Sequence, residues 1–147
     1  MKLSTKGRYG TRAMLDLALH YGQGLILLKD IARRQEISEG YLEHVIIPLK
    51  AAGLVTSARG AHGGFALAKP PSEIRLSDII QVVEGSIALV DCVDDPSVCS
   101  LADLCVTRDV WSDMKKAMSG ILESTTLQDL VQRQREKGQL EAAMYHI

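Results

Sequence analysis

The sequence lacks several things, and each absence narrows what it can be. None of its 147 residues belongs to a run approaching the roughly 20 apolar residues that a membrane span needs. The basic opening MKLSTKGRYGTRAM is not followed by a continuous apolar stretch, so a soluble, cytoplasmic chain with no membrane partner is expected. There is no internal repeat and no low-complexity tract. Neither a phosphate-cradling G-x-x-x-x-G-K nor a nucleophile-base grouping occurs, which argues against an enzyme. Outside residues 92–105 there is no cysteine at all.

Within that window the chain reads CVDDPSVCSLADLC, with thiols spaced C-x6-C-x5-C. An odd number of cysteines cannot all pair within one chain, and cytosolic conditions disfavour disulfides. The three thiols therefore point to metal ligation or redox sensing. The length suits one compact domain, or a small domain with an extension, and allows an adequate core. The net charge of −1 conceals a division: residues 1–70 carry ten Lys/Arg against five Asp/Glu, and residues 71–147 carry seven against thirteen. A basic half suits a polyanion such as DNA, and the acidic half is free for another task.

Periodicity places the elements. Ser4 caps a helix from about Lys6 to Tyr21, with Tyr9, Ala13, Met14, Leu17, Ala18 and Tyr21 at helical spacing. KDIARRQ forms a brief helix after the apolar stretch LILL at 25–28. EISEG turns, and Ser38 caps EGYLEHVIIPLKAAG, whose core stripe is Tyr41, Leu42, Val45, Ile46 and Leu49. Gly53 ends it, and Pro48 should kink or loosen its last turn. LVTSA and FALA around RGAHGG predict a β-hairpin. Ser77 starts SDIIQVVEG, closed by Gly85. Thr107 opens the longest amphipathic segment, Thr126 begins the shorter TLQDLVQRQ, and the polar end EKGQLEAAMYHI should be mobile or weakly helical.

Three helices and a hairpin predict a mainly α fold with a small β-hairpin wing: a winged helix-turn-helix followed by a long C-terminal dimerisation helix. The expected division is 1–72 for the DNA-binding domain, 73–131 for a sensor loop (about 87–106) with dimerisation helices, and 132–147 for a polar tail. In such a module the second helix of the turn motif enters the major groove and the hairpin lies along neighbouring phosphates or the minor groove. The groove-facing candidates are Ser38, Glu39, Tyr41, Glu43, His44 and Lys50. A glutamate there accepts from a cytosine amino group and repels phosphate, so Glu43 serves specificity more than affinity. Arg59 can follow a narrow minor groove, Gly60, Gly63 and Gly64 at the hairpin tip allow close backbone approach, and His62 is a further DNA-binding candidate there. Lys2, Lys6, Arg8 and Arg12 surround the start of the first helix, whose amide dipoles favour anions, and together suggest a phosphate clamp. Trp111, Met114, Met118, Ile121 and Leu122 form one stripe on the late helix and suggest a two-fold dimer seam.

Thiolates in a short loop suit soft metal centres. Six and five intervening residues argue against a structural zinc knuckle, which pairs cysteines at closer spacing. An iron-sulfur cluster tolerates longer spans, and three cysteines leave one position open, which fits a sensor better than an electron carrier. Asp91, Asp94, Asp95 and Asp103 should hinder thiolate formation in the empty loop.

The run MKLSTKGRYGTRAMLDLAL, the motif DIARRQEISEGYLEHVIIPLKAAGLVTSARG, the GGFAL wing, and the three-cysteine loop followed by VTRDVW resemble the bacterial winged-helix regulators that include IscR, NsrR and CymR. The resemblance runs to about Val131. It implies a homodimer that binds double-stranded, pseudo-palindromic operator DNA and holds a 2Fe-2S cluster on Cys92, Cys99 and Cys105. In IscR-like members a histidine three residues after the last cysteine supplies the fourth ligand, and Arg108 stands there in this chain. NsrR-like members can take an acidic ligand from the partner's first helix, where this chain has Arg8. Asp103, Asp109 or solvent remain as candidates, and Arg108 could neutralise an anionic cluster from outside its ligand set. The alternatives are a metal-free regulator of the CymR kind, controlled by a partner protein or thiol oxidation, and an NsrR-like nitric-oxide sensor.

Overall fold

The computed structural model describes residues 2–145. Helix α1, Thr5–Leu19, begins where the Ser4 hydroxyl accepts from the Gly7 amide at 2.9 Å, relieving one of the unpaired amides of a first turn. Ala13, Met14, Leu17 and Ala18 are buried along one side. The helix stops two residues earlier than its periodicity suggests. The Tyr21 amide folds back to Ala18 O in a tighter turn, and the Tyr21 ring faces solvent instead of joining the core.

Helix α2, Leu28–Gln35, ends at Glu36, which adopts the left-handed conformation at φ 54°. The Ile37 amide then returns to Ala32 O at 2.9 Å. That turn aims the chain into α3, Glu39–Ala51, capped by the Ser38 hydroxyl on the Tyr41 amide. Pro48 does not end this helix. It lies in the last turn, where the ladder continues through the Ala52 amide to Pro48 O, and Gly53 and Leu54 close the end on Lys50 O and Leu49 O.

Strands β1, Val55–Ala58, and β2, Gly64–Leu67, pair antiparallel with Val55 opposite Leu67 and Ala58 opposite Gly64. Ile26 bridges to the free edge of β2, exchanging two 2.8 Å backbone bonds with Phe65. Gly64 permits this approach, since a Cβ there would lie 2.5 Å from Ile26 O.

Helix α4, Leu76–Val83, starts one residue before Ser77, because the Asp78 carboxylate caps the Arg75 amide at 2.9 Å. The cysteine segment contains a four-residue helix α5, Asp91–Asp94, and two 3-10 turns, Pro96–Val98 and Ala102–Leu104. Helix α6, Val106–Ser124, buries none of its residues within the chain. Thr126 and Asp129 cap α7, Leu127–Tyr145, reciprocally. Its entry is pinned beside α4 by Leu76 N to Thr125 O and Leu127 N to Ile74 O, each 2.9 Å.

The polar end departs from the expectation of a mobile or weakly helical tail, because α7 continues unbroken through Tyr145. Its first turn is anchored by buried Leu127 and Val131, and the later turns are dominated by Gln, Glu, Lys, Arg, Leu and Ala, all good helix formers. The last two residues of that tail, His146 and Ile147, lie outside the described residues. The core is one cluster that joins α1, α2, α3 and the hairpin to Ile74, α4 and the start of α7. Helices α1 to α3 and the hairpin are thus held by packing that reaches well past residue 72.

Candidate nucleic-acid interface and cysteine loop

Burial of Leu42, Val45, Ile46 and Leu49 fixes the orientation of α3 and turns Ser38, Glu39, Glu43, His44 and Lys50 to solvent. Ile47, 60 % exposed, shares this outward side. A polarity-based reading passes over it, but an exposed apolar side chain among polar groove candidates can contact a thymine methyl. Tyr41 is half-buried and ties α3 to α1: its ring meets Tyr9 edge-on at 5.8 Å and lies 6.4 Å from His44. Arg8 sits over the Tyr9 ring at 4.9 Å and is exposed.

Arg12 is differently placed. Its Nε donates to Gln35 Oε1 at 3.2 Å and its Nη2 donates to the Gln35 backbone carbonyl, so it fastens the end of α2 to α1. The same seam holds a buried carboxylate. Asp16 accepts from Arg34 Nε and Nη2 at 2.9 and 2.8 Å and from Gln35 Nε2 at 3.0 Å. This acid raises the Arg34 pKa further, chiefly through the hydrogen-bonded pair and against some desolvation. Sequence periodicity gave no sign of the pair, since Asp16 occupies an apolar stripe.

The start of α1 also carries a carboxylate that local sequence does not announce. It belongs to Glu84, accepting from the Ser4 amide at 2.9 Å and from the Ser4 hydroxyl. Lys2 and Arg8 remain exposed around it, with Lys6 half-buried. At the wing, Arg59, Gly60 and His62 are exposed. Gly63 is buried, and its amide already donates to Gly60 O at 3.0 Å.

The cysteine loop lies against α6. Cys92 is half-buried in α5, Cys99 is exposed, and half-buried Cys105 caps the start of α6. Among the described residues no three His, Cys, Asp or Glu side chains converge as a metal site. The donor set nevertheless has the softness that an iron-sulfur centre requires. The loop is bonded mainly to itself: the backbone bonds of 95–105 are local, such as Val98 N to Asp95 O and Cys105 N to Ala102 O. Ties to the body are few. Arg108 Nε donates to Cys92 O at 2.8 Å, Lys115 meets Asp94 at 2.6 Å, and the Ser86 hydroxyl also donates to Asp94.

The acids do not act as expected on every thiol. At Cys105 the Thr107 hydroxyl, 3.1 Å away, and the Arg108 amide push the pKa down and outweigh Asp109. Asp94 and Asp95 are engaged elsewhere. Lys115 and Ser86 hold the Asp94 pKa below the ordinary carboxylate range, and Ser97 does the same for Asp95.

The stripe on α6 is only partly covered within the chain: Trp111 and Ile121 are exposed, and Met114, Met118 and Leu122 are half-buried, Leu122 against the core. All of these except Trp111 line a groove of about 760 Å³ between α1, α4 and α6. No described helix is long and apolar enough to cross a membrane.

A recognition helix with a polar outward side, fixed against a capped first helix and flanked by a wing, defines a winged helix-turn-helix DNA-binding regulator. Residues 3–133 match the model of the Rrf2 family, described as iron-dependent transcriptional regulators, and the chain belongs to that family. It is 42 % identical over 147 residues to the HTH-type transcriptional regulator CymR of Bacillus subtilis, covering all of both chains. It is also 42 % identical over 134 residues to IscR of Serratia proteamaculans, covering 91 % of this chain and 81 % of that one. Among solved structures, CymR, the global cysteine regulator of B. subtilis, superimposes with a TM-score of 0.77 at 43 % identity, covering 90 % of this chain and 98 % of that one. T. potens IscR does so with a TM-score of 0.77 at 44 % identity, covering 93 % and 90 %. The curated CymR and IscR relatives are both named as transcriptional regulators.

Proposed function

We propose that this chain is a cytoplasmic homodimeric regulator whose affinity for a pseudo-palindromic operator is set by its cysteine loop, and that the loop carries a 2Fe-2S cluster on Cys92, Cys99 and Cys105. The observation that carries this reading is that every thiol of the chain lies on one locally bonded loop latched to α6. When bound, the cluster supplies a one-electron couple and a tie among three loop positions. The chain's own residues do the rest. Cys105 presents a thiol inclined toward its ligating thiolate form, Arg108 orients Cys92 through its carbonyl, and Lys115 holds Asp94.

On the DNA side, Glu39, Glu43, His44, Ile47 and Lys50 face the bases, while Ser38, Lys2, Lys6, Arg8, Arg59, Gly60 and His62 meet the backbone or minor groove. Arg12, Tyr41 and Gly63 support this surface from behind. The exposed α6 stripe, Trp111 to Leu122, joins two copies so that their recognition helices lie about 34 Å apart, one turn of DNA.

A second reading is favoured by one specific pair of observations: among the described residues the thiols do not converge on a common metal site, and Cys105 has a lowered pKa. On it, the loop works without metal, through thiol oxidation or a protein partner. Purification without oxygen separates the two. The cluster reading expects stoichiometric iron and acid-labile sulfide that Cys99→Ala abolishes without unfolding the protein. Colourless, iron-free protein, or a Cys99→Ala variant that keeps its full iron and sulfide, contradicts it.

A further inference from the structure

We propose that Glu84, Gly85 and Ser86 form the mechanical link through which the arrangement of the cysteine loop reaches the start of α1. The side chains flanking Gly85 reach in different directions. Glu84 accepts from the Ser4 amide at 2.9 Å and from the Ser4 hydroxyl, so its carboxylate sits on the cap of α1. The Ser86 hydroxyl donates to Asp94, two residues beyond Cys92, and its oxygen accepts from the Ala88 amide at 3.1 Å. A single residue therefore separates a strut on the DNA-binding domain from a strut on the thiol loop.

Gly85 suits the role of a hinge. It holds φ +78°, and a Cβ built there would meet nothing within 4 Å. Upstream, α4 is fixed in the core by buried Ile79, Ile80 and Val83. Displacement of Ser86 is therefore taken up at Gly85 or passed to Glu84, which caps the end of α4. The input is equally local. Among the described residues the three thiols do not converge, and any gathering that displaces Cys92 also displaces Asp94, two residues on, with its bonds to Ser86 and Lys115.

The output is a change of position and charge beside exposed Lys2 and Arg8. A carboxylate drawn onto Ser4 fixes where the chain enters α1, and a carboxylate released from it lies among cations that would otherwise face phosphate. The two loop arrangements then differ in operator affinity by as much as they differ in this contact.

The link rests on the reading of the chain as a loop-controlled regulator, and the test separates the two. Ser86 is exposed, so Ser86→Ala leaves the core untouched. Metal-free wild type, Ser86→Ala, Glu84→Ala and the double variant are compared by amide hydrogen exchange at residues 4–8. Their binding to a duplex selected by the wild type from a random-sequence library is measured alongside. The expected result is faster exchange at 4–8 in Ser86→Ala and an affinity shift of about threefold or more, with no addition when Glu84→Ala is already present. Unchanged exchange at 4–8 in Ser86→Ala, or strictly additive effects, overturns the link even if the wild type binds its duplex in a loop-dependent way. If no duplex is selected, the functional reading fails, and the exchange result still decides the link.

Discussion

Arg34 clasps the buried carboxylate of Asp16 with Nε and Nη2, at 2.9 and 2.8 Å, and thereby fixes the angle between α1 and α2. Asp16 is 1 % exposed, so removing its partner leaves a charge in the core. Arg34→Met should lower unfolding free energy by about 3 kcal/mol. The double variant with Asp16→Leu should be less unstable than the sum of the singles, because it removes the orphaned charge as well. Urea unfolding of the four proteins checks this.

Helix α7 belongs to the winged domain's core only through its first turns. Leu127 is fully buried, whereas Leu140 is 68 % exposed. Leu127→Ala should cost about 2–5 kcal/mol and Leu140→Ala less than about 0.5 kcal/mol. Thermal melts of the two variants measure the contrast.

The lowered pKa of Cys105 has a definite sign. Thr107 and the Arg108 amide favour the thiolate, so more of it is present at neutral pH than for an ordinary thiol near about 8.5. In metal-free protein with Cys92 and Cys99 replaced by serine, the alkylation rate of Cys105 should rise through a midpoint on the acid side of that value. Thr107→Val should move the midpoint upward, since the hydroxyl is the largest contributor.

The open stripe of α6 predicts the oligomeric state. Ile121 is 65 % exposed in the single chain, so Ile121→Glu costs little folding stability but places a charge in the proposed seam. Sedimentation equilibrium should show dimer for the wild type and monomer for the variant, with operator affinity falling alongside.

Local signals in the sequence located most of the fold. Ser4, Ser38 and Thr126 cap helices because a hydroxyl three residues before an amide acts at short range. The hairpin and the core stripe of α3 were equally legible, because each is a pattern within a dozen residues. The features that escaped depend on chain geometry. Asp16 in an apolar stripe makes sense only once α2 crosses α1 and delivers Arg34. Glu84 meets Ser4 across eighty residues of sequence and brings a carboxylate to the basic start of α1. The polar end of α7 is helical because Leu127 and Val131 anchor it in a core that local composition cannot reveal. For the loop, the donor types were legible and their separation in space was not. Glu36 is a further case: its left-handed turn, a conformation glycine adopts more easily, is imposed by the Ile37 amide returning to Ala32 O.

The most direct test of loop control is operator affinity measured on one anaerobic sample before and after its iron is removed by a chelator, at fixed salt. The account predicts bound iron and sulfide at the outset, and a change in affinity on their loss that Cys92→Ala, Cys99→Ala and Cys105→Ala variants fail to show. Identical affinity in both states, in protein that had carried a full complement of iron and sulfide, contradicts it.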